Sequence, residues 1–322
     1  MSTNCSVKQL LGSSNNPNLE KFGKLTLFVK SGTITNTNQQ KFGFTTNGTT
    51  TLLKALGGGY WSTTPELIET DKTTSRQLTN NISQLFFKSA DYTLEVEDKY
   101  CITVLRGGGA ANSIISINLE SLYGCNSLTE VRVNNTESKG NISAIRDITS
   151  LRILTIANTS IEGDISNLSA LNLQEFGCSG SAVYGDIVAL KDMTNLREGS
   201  FNDGIYGDIA NLAKCTSLSS FYLGASHITG TLESFVAGQI SNGRTTPASA
   251  VYINNLLPKV TFGGSNYEDG NTYVTWESST KIGVMVGSAS TPTKVYYSGY
   301  TTQEAATKWS NVSASNLIKV DA

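Results

Sequence analysis

Hydrophobic residues in the middle of the chain recur with a period of 22 or 23 residues. Two markers keep this spacing: the glycines Gly140, Gly163, Gly185, Gly207 and Gly230, each followed two places later by Ile or Leu, and the leucines Leu128, Leu151, Leu173, Leu196 and Leu218. Within a unit, Leu154 and Ile156 alternate with polar residues, which predicts a short strand with one buried face. Such a period indicates stacked coils. We expect about five coils over 119–238, with parallel strands centred near Val131, Leu154, Phe176, Phe201 and Phe221.

The repeat unit resembles the leucine-rich repeat with a Gly-x-Ile extension, because Leu151-x-x-Leu154-x-Ile156 is followed by Ile161, Gly163 and Ile165. Units around Cys125 and Cys215 are similar to repeats of gut-bacterial surface proteins. The resemblance implies a solenoid that binds other macromolecules. Three features depart from the family pattern: the unit from Leu196 is one residue short, Gly199 stands where an inward Leu is expected, and the Asn ladder is replaced by Thr136, Thr159, Ser181 and Ser226.

Strand-like patterns flank the repeats on both sides. Alternation at 25–29, 92–96 and 100–104 predicts an N-terminal β-rich domain over 1–110, whose first 20 or so residues form an arm. A solenoid over 111–238, a linker over 239–247 and an α+β domain over 248–322 follow, with one helix predicted by a capping box at Thr301 and Glu304. The predicted fold class is therefore β-rich and multi-domain: a short central leucine-rich-repeat solenoid of parallel β-structure, flanked by an N-terminal β domain and a small C-terminal α+β domain.

Charge and apolar run length exclude several partners. The 24 Lys and Arg nearly balance the 26 Asp and Glu, and no basic run exceeds two residues, so we expect no nucleic acid and no membrane partner. Apolar runs are far shorter than the roughly 18 residues of a membrane helix, and the N-terminus shows no secretory h-region. Five scattered cysteines predict free thiols rather than a disulfide framework or a zinc site.

The side chains that alternate with the inward residues form a candidate binding face. Its main members are Glu130, Arg132, Glu175, Glu198 and Tyr222. Strands one coil apart would place Glu175 and Glu198 about 5 Å from each other, which is the carboxyl spacing of a retaining glycosidase. An open sheet face, however, has no cleft to raise the pKa of one carboxyl, so we expect surface ion pairs with Arg152 or Arg197 instead.

No catalytic residue, cofactor or metal site is predicted. The chain has a single histidine, His227, and neither of the glycine triplets at 57–59 and 107–109 continues into a nucleotide-binding motif. A column of Asp164, Asp186 and Asp208 repeats in the Gly-Asp-Ile triplets. Calcium between coils is one hypothesis for this column, and carboxylates bonded to turn amides are the favoured one.

These observations favour a non-enzymatic structural or binding protein. The weakly charged, Ser-, Thr- and Asn-rich composition is similar to that of bacteriophage virion proteins, which predicts a capsid decoration, tail or fibre component in the virion. The alternatives are a bacterial cell-surface adhesin or carbohydrate-binding protein and, less favoured, a glycan hydrolase. Partners would be other virion or surface-assembly proteins, and a host glycan or surface protein. Aromatic residues outside the repeats, predicted to attach the chain, are Trp61, Trp276, Tyr296, Tyr297 and Trp309.

Overall fold

The structure is a computed structural model that describes residues 24–57, 59–67, 73–79, 83–107, 109–224, 226–247, 249–254, 260–263 and 271–320. Contacts divide the chain into two compact units, one ending at Ser150 and one beginning at Leu151. The predicted N-terminal arm lies mostly outside the described residues, and the predicted domain boundaries stay predictions. No helix in the described ranges is long and apolar enough to cross a membrane.

The first unit is built from short strands, two of which, Leu25–Val29 and Tyr92–Val96, bury every second residue. The strands are β1 Leu25–Val29, β2 Lys41–Thr46, β3 Thr51–Leu56, β4 Trp61–Ser62, β5 Ser75–Leu78, β6 Ser83–Phe87, β7 Tyr92–Val96, β8 Ile102–Gly107, β9 Ile115–Ile117, β10 Glu130–Arg132 and β11 Lys139–Asn141. One antiparallel sheet has the order β5-β3-β7-β1-β9. In a second row, β10-β8-β2-β6-β4, only the pairing of β10 with β8 is parallel. The period-2 alternation predicted for 25–29 and 92–96 is confirmed.

In the second unit each coil contributes one strand to each of two parallel sheets. The elements are β12 Ile153–Thr155, β13 Ser160–Asp164, β14 Glu175–Gly177, β15 Ala182–Asp186, β16 Glu198–Ser200, β17 Ile205–Asp208, β18 Ser220–Tyr222, β19 His227–Thr229, α1 Leu232–Ser241, β20 Val251–Asn254, β21 Asn271–Trp276, β22 Ile282–Val286, β23 Lys294–Ser298, α2 Thr302–Lys308 and β24 Leu317–Lys319. One sheet runs β12-β14-β16-β18-β20, and the other runs β13-β15-β17-β19. This is the arrangement of a leucine-rich-repeat solenoid, and the predicted fold class is confirmed.

Short 3-10 turns follow four of the Gly-x-Ile glycines; they are Ile142–Ile145, Ile165–Leu168, Ile187–Leu190 and Ile209–Leu212. The other 3-10 turns among the described residues are Thr37–Gln40, Pro65–Leu67, Lys99–Cys101, Leu119–Leu122 and Ala314–Asn316. After the last Gly-x-Leu triplet, α1 packs on the turn Ile209–Leu212, and the buried Gln239 amide nitrogen donates to the carbonyl of Leu212 at 2.9 Å. The helix therefore takes the place of the next 3-10 turn in the stack.

The Gly-Asp-Ile triplet links each coil to the one before it. Gly207 has a φ of +115°, and a Cβ placed on it would lie 2.5 Å from Asp186 Oδ1 of the preceding coil. Gly185 stands in the same relation to Asp164, at 2.6 Å. Glycine is required here for two reasons, since the backbone is left-handed and the preceding carboxylate fills the space of a side chain.

Replacing Gly207 by alanine is expected to lower the free energy of unfolding by about 2 kcal/mol, from backbone strain and from the contact with Asp186. Gly243 is a matched control, because its φ is +95° and a Cβ there would meet no atom within 4 Å. Gly243→Ala should cost only the strain, about 1 kcal/mol. Urea denaturation of both variants measures the difference. Equal losses at the two positions would contradict the close approach of Asp186.

Hydroxyl groups stand in three coils where the leucine-rich-repeat pattern has an Asn ladder. The side chains of Thr136, Thr159 and Ser181 each donate to the carbonyl three residues earlier, at 2.7, 2.6 and 2.6 Å. In the short unit Asn202 takes over this role: its Nδ2 donates to the carbonyls of Ser181 and Val183 at 2.8 and 2.9 Å. Asn202 is buried, since the short unit lacks one residue and its amide lies inside the coil.

The strand of the short unit also differs from its prediction. β16 is centred on Gly199 rather than Phe201, and Gly199 pairs with Phe176 and Phe221 on its neighbours. Phe201 occupies the next inward position, buried, with its ring centroid 5.0 Å from that of Phe221 and 6.0 Å from that of Phe176. The three rings fill the space that an inward leucine would take.

Candidate binding face

The strand registers place the outward residues of the second unit in columns, as predicted. Glu175 pairs with Ile153 on one side and with Glu198 on the other, and Ser220 follows. Glu175 is half-buried and Glu198 is exposed. The Arg197 guanidinium, predicted to pair with a glutamate, donates from Nη2 to Gln174 Oε1 at 3.0 Å. Glu175 and Glu198 therefore stand side by side on the same face of their strands.

Glu130 and Arg132, in the first unit, form an ion-pair cluster with Arg106 of β8. Glu130 Oε1 accepts from Arg106 Nε at 2.6 Å and from Arg132 Nε at 2.9 Å, and Glu130 Oε2 accepts from Arg106 Nη2 at 2.7 Å. Burial of Glu130 acts to raise the pKa of its carboxyl, but the hydrogen bonds and positive charges of the two arginines outweigh it and lower that pKa. Because Glu130 is buried, its carboxylate holds the side chains of Arg106 and Arg132 in place and is not itself exposed to a ligand.

Glu130→Gln is expected to destabilise the protein at neutral pH, because it removes the negative charge that pairs with the two arginines. The loss should be only about 1 kcal/mol, since the arginines are partly exposed and solvent screens their charges. A carboxyl whose pKa is lower in the folded state contributes stability above its unfolded value, about 4.3, and loses it as the pH falls through the folded value. The difference between wild type and variant in urea denaturation should therefore shrink from pH 7 to pH 3. A difference that is constant over this range would contradict the ion-pair cluster.

The carboxylates of the aspartate column accept hydrogen bonds from backbone amides. Oδ1 of Asp164, Asp186 and Asp208 accepts from the amide two residues later, at 2.8 Å in each case. The favoured interpretation of these residues is thus confirmed. Within the described residues, no group of three or more His, Cys, Asp or Glu side chains could hold a metal ion.

Four cysteines are free and buried, as predicted: Cys101, Cys125, Cys178 and Cys215. Cys5 lies outside the described residues. Burial raises the pKa of Cys178 to about 12 and that of Cys101 to about 11. Thiols with such pKa values carry almost no thiolate at neutral pH, and they serve as small core residues.

The five predicted attachment aromatics fill the chain's own cores. Trp61, Trp276, Tyr296, Tyr297 and Trp309 are all buried. Trp309 packs against Tyr297 and Tyr300 beneath α2, and the Trp276 indole nitrogen donates to the carbonyl of Arg244 at 3.3 Å. Among the described aromatics, the strongly exposed rings are instead Tyr123, Tyr184, Tyr206 and Tyr222.

Tyr222 is 45% exposed and begins a row of tyrosines that the sequence pattern did not identify. Its ring centroid is 5.1 Å from that of Tyr252, and the Tyr252 centroid is 5.1 Å from that of Tyr273. Both added tyrosines lie on strands beyond the repeats, β20 and β21, that continue the same sheet. The alternation of residues within Val251–Asn254 could have indicated a strand, but this segment carries neither the glycine nor the leucine marker of the repeats.

Comparison with known proteins leaves the function open. No family model and no curated protein matches the chain. Its structural neighbours are leucine-rich repeat proteins. A plant peptide hormone receptor in complex with RGF2 is 23% identical with a TM-score of 0.32, over 36% of this chain and 20% of the receptor chain. Internalin C2 from Listeria monocytogenes is 20% identical with a TM-score of 0.29, over 35% and 49% of the two chains. A leucine-rich repeat protein of Leptospira interrogans is 11% identical with a TM-score of 0.30, over 46% and 35%. This chain thus spans less than half the length of each of these three.

Proposed function

We propose that this chain is a non-enzymatic binding protein that presents a leucine-rich-repeat sheet face to another macromolecule. The observation that carries the proposal is the exposed outward row of the second unit, where Glu198 and Tyr222 project from adjacent strands. Hydrogen-bonded coils hold these strands in fixed register, so the face is preorganised for binding. A solenoid is suited to this task because its exposed surface extends along a rigid backbone.

The setting that we propose is a bacteriophage particle, in which the chain decorates the capsid or forms part of a tail or fibre. The weakly charged, Ser-, Thr- and Asn-rich composition supports it. The alternative is a bacterial cell-surface adhesin, which the resemblance of the repeats to gut-bacterial surface proteins favours.

Attachment to the assembly would use a flanking domain and leave the repeat face displayed. The aromatics first proposed for this contact are buried, and exposed apolar side chains of the N-terminal domain are better suited: Phe28, Leu56 and Leu67, with 37, 40 and 47% exposure. Leu56→Asp combined with Leu67→Asp should then reduce incorporation into particles. Tyr222→Ala, on the displayed face, is the matched control and should leave incorporation unchanged.

Mass spectrometry of purified virions tests the setting. Stoichiometric recovery of the chain from particles supports the virion proposal, whereas its release by protease from intact bacteria, without recovery from particles, favours the adhesin. Absence from both would contradict the proposal.

The absence of enzyme activity is itself a prediction. We expect the protein to hydrolyse no host glycan, and neither Glu175→Gln nor Glu198→Gln to change that result, because the two carboxylates stand side by side on a sheet face. Release of reducing sugar from host glycans, abolished by either substitution, would favour a glycan hydrolase instead.

A further inference from the structure

Six uncharged side chains from three adjacent strands form a two-column array at the end of the repeat sheet. Ser220, Tyr252 and Tyr273 are paired across β18, β20 and β21, and Tyr222, Asn254 and Asn271 are paired across the same strands. Residues two apart on a strand share a face, so both columns lie on the same side of the sheet. We call these six residues the tyrosine–amide array.

Hydrogen bonds fix the amide side of the array. Asn271 Oδ1 accepts from the Tyr252 hydroxyl at 2.8 Å and from Asn254 Nδ2 at 2.9 Å. Burial raises the pKa of the Tyr252 hydroxyl, which therefore remains protonated and able to donate. Since Asn271 is exposed and its oxygen already accepts two hydrogen bonds, its NH₂ group can donate to a bound molecule.

The tyrosine side of the array offers apolar surface next to these polar groups. The rings of Tyr222 and Tyr252 lie at 65° to each other, and those of Tyr252 and Tyr273 at 54°. Each ring is held against its neighbour, so binding would immobilise little additional side-chain freedom. Tyr222 remains 45% exposed at the end of the row.

The borders of the array limit the size and charge of its ligand. Beyond Tyr273 the next residue in the column, Met285, is buried in the cluster beneath α2, so the exposed surface ends there. On the opposite border stands the exposed carboxylate Glu198, paired with Ser220. The six residues of the array include no Lys or Arg, and an acidic ligand would meet the Glu198 charge without a compensating cation.

We propose that the tyrosine–amide array binds a neutral glycan, with the C–H faces of sugar rings against Tyr222 and Tyr252 and sugar hydroxyls bonded to Asn254 and Asn271. A pyranose needs an apolar surface beside hydrogen-bonding groups, and the array combines both. A protein partner would need about 20–30 residues on this side of a stable interface, several times more than the array contains. The proposal rests on the proposed function, because it assumes that the repeat face is displayed, and it names the class of ligand.

Binding of the 322-residue chain to fluorescent neutral hexasaccharides tests this proposal. The probes are linear oligomers of glucose, mannose, galactose and N-acetylglucosamine, with an oligomer of galacturonic acid as the charged comparison. We expect at least one neutral probe to bind and the acidic one to bind more weakly. Tyr222→Ala and Asn271→Ala should each weaken binding about tenfold, whereas Tyr222→Phe should retain it.

Tyr184→Ala and Tyr206→Ala are matched controls, because these rings are 52 and 50% exposed on the other parallel sheet of the same unit. Both should bind the neutral probe as the wild type does. The proposal is overturned if no neutral probe binds, or if the controls weaken binding as much as Tyr222→Ala. If no probe binds and Tyr222→Ala also reduces incorporation into particles, the array is a protein contact. If no probe binds and the Tyr222→Ala variant is incorporated normally, only the glycan proposal is overturned, and the proposed function stands.

Discussion

Replacing Leu154 by alanine is expected to lower the free energy of unfolding by about 2–5 kcal/mol. Leu154 is fully buried at the centre of β12 and pairs with Phe176 on β14. The strands on which it packs are fixed by hydrogen bonds between coils, such as that from the Ile156 amide to the Gly177 carbonyl at 2.8 Å. Because such coils cannot easily collapse into the space left behind, we expect a cavity to remain.

Ile153→Ala provides the control for this prediction. Ile153 precedes Leu154 on the same strand, points to the opposite face and is only half-buried, so its truncation should cost about 1 kcal/mol. Urea denaturation of both variants, followed by circular dichroism, gives the comparison. If Leu154→Ala were no more destabilising than Ile153→Ala, the inward orientation of Leu154 would be wrong.

The repeat period predicted most of the solenoid, because every coil obeys the same local constraints. Four strands lie where they were expected, centred on Val131, Leu154, Phe176 and Phe221. The capping box at Thr301 and Glu304 is also present at the start of α2. Signals of these kinds act within a few residues, so they can be recognised without knowing the tertiary structure.

The sequence pattern did not predict the helix α1, because the residues at its start match the repeat marker. Gly230-Thr-Leu232 reads as another triplet, but Thr231 caps a helix instead of a 3-10 turn. The buried residues Leu232, Phe235, Val236 and Gln239 have the spacing i, i+3, i+4 and i+7, which is the available signal for a helix. The match to the repeat marker therefore led to a prediction of another coil where the spacing of apolar residues indicates a helix.

The sequence predicted only those residues of the candidate site that lie within the repeats. Tyr222 belongs to a repeat column, whereas Tyr252 joins the same sheet after a connection through α1 and outside the period. Glu130, predicted to belong to the binding face, is buried and accepts hydrogen bonds from Arg106, which comes from a strand before the repeats. Pairings between residues with unrelated sequence patterns depend on the tertiary fold, and no local signal specifies them.

Replacing Gly199 by leucine, the residue that the repeat pattern would favour, is expected to destabilise the protein by about 1–3 kcal/mol. A Cβ on Gly199 would lie 2.6 Å from Phe221 Cε2 and 3.1 Å from Phe201 Cζ. Both rings are buried, so neither can move toward solvent to admit a larger side chain. The glycine is therefore the small residue that compensates for two large ones in a close-packed core.

A volume-compensating variant separates this explanation from a general intolerance of substitution in β16. In the double variant Gly199→Leu/Phe221→Leu, the smaller side chain at 221 leaves room for the larger one at 199. The double variant should therefore recover part of the stability that Gly199→Leu alone loses. Thermal unfolding of wild type, both single variants and the double variant measures their coupling. Stabilisation by Gly199→Leu alone, as expected for a substitution toward a repeat consensus, would mean that the phenylalanine rings do not fill this position. Destabilisation relieved by Phe221→Leu would establish that the short coil replaces one inward leucine by rings from neighbouring positions.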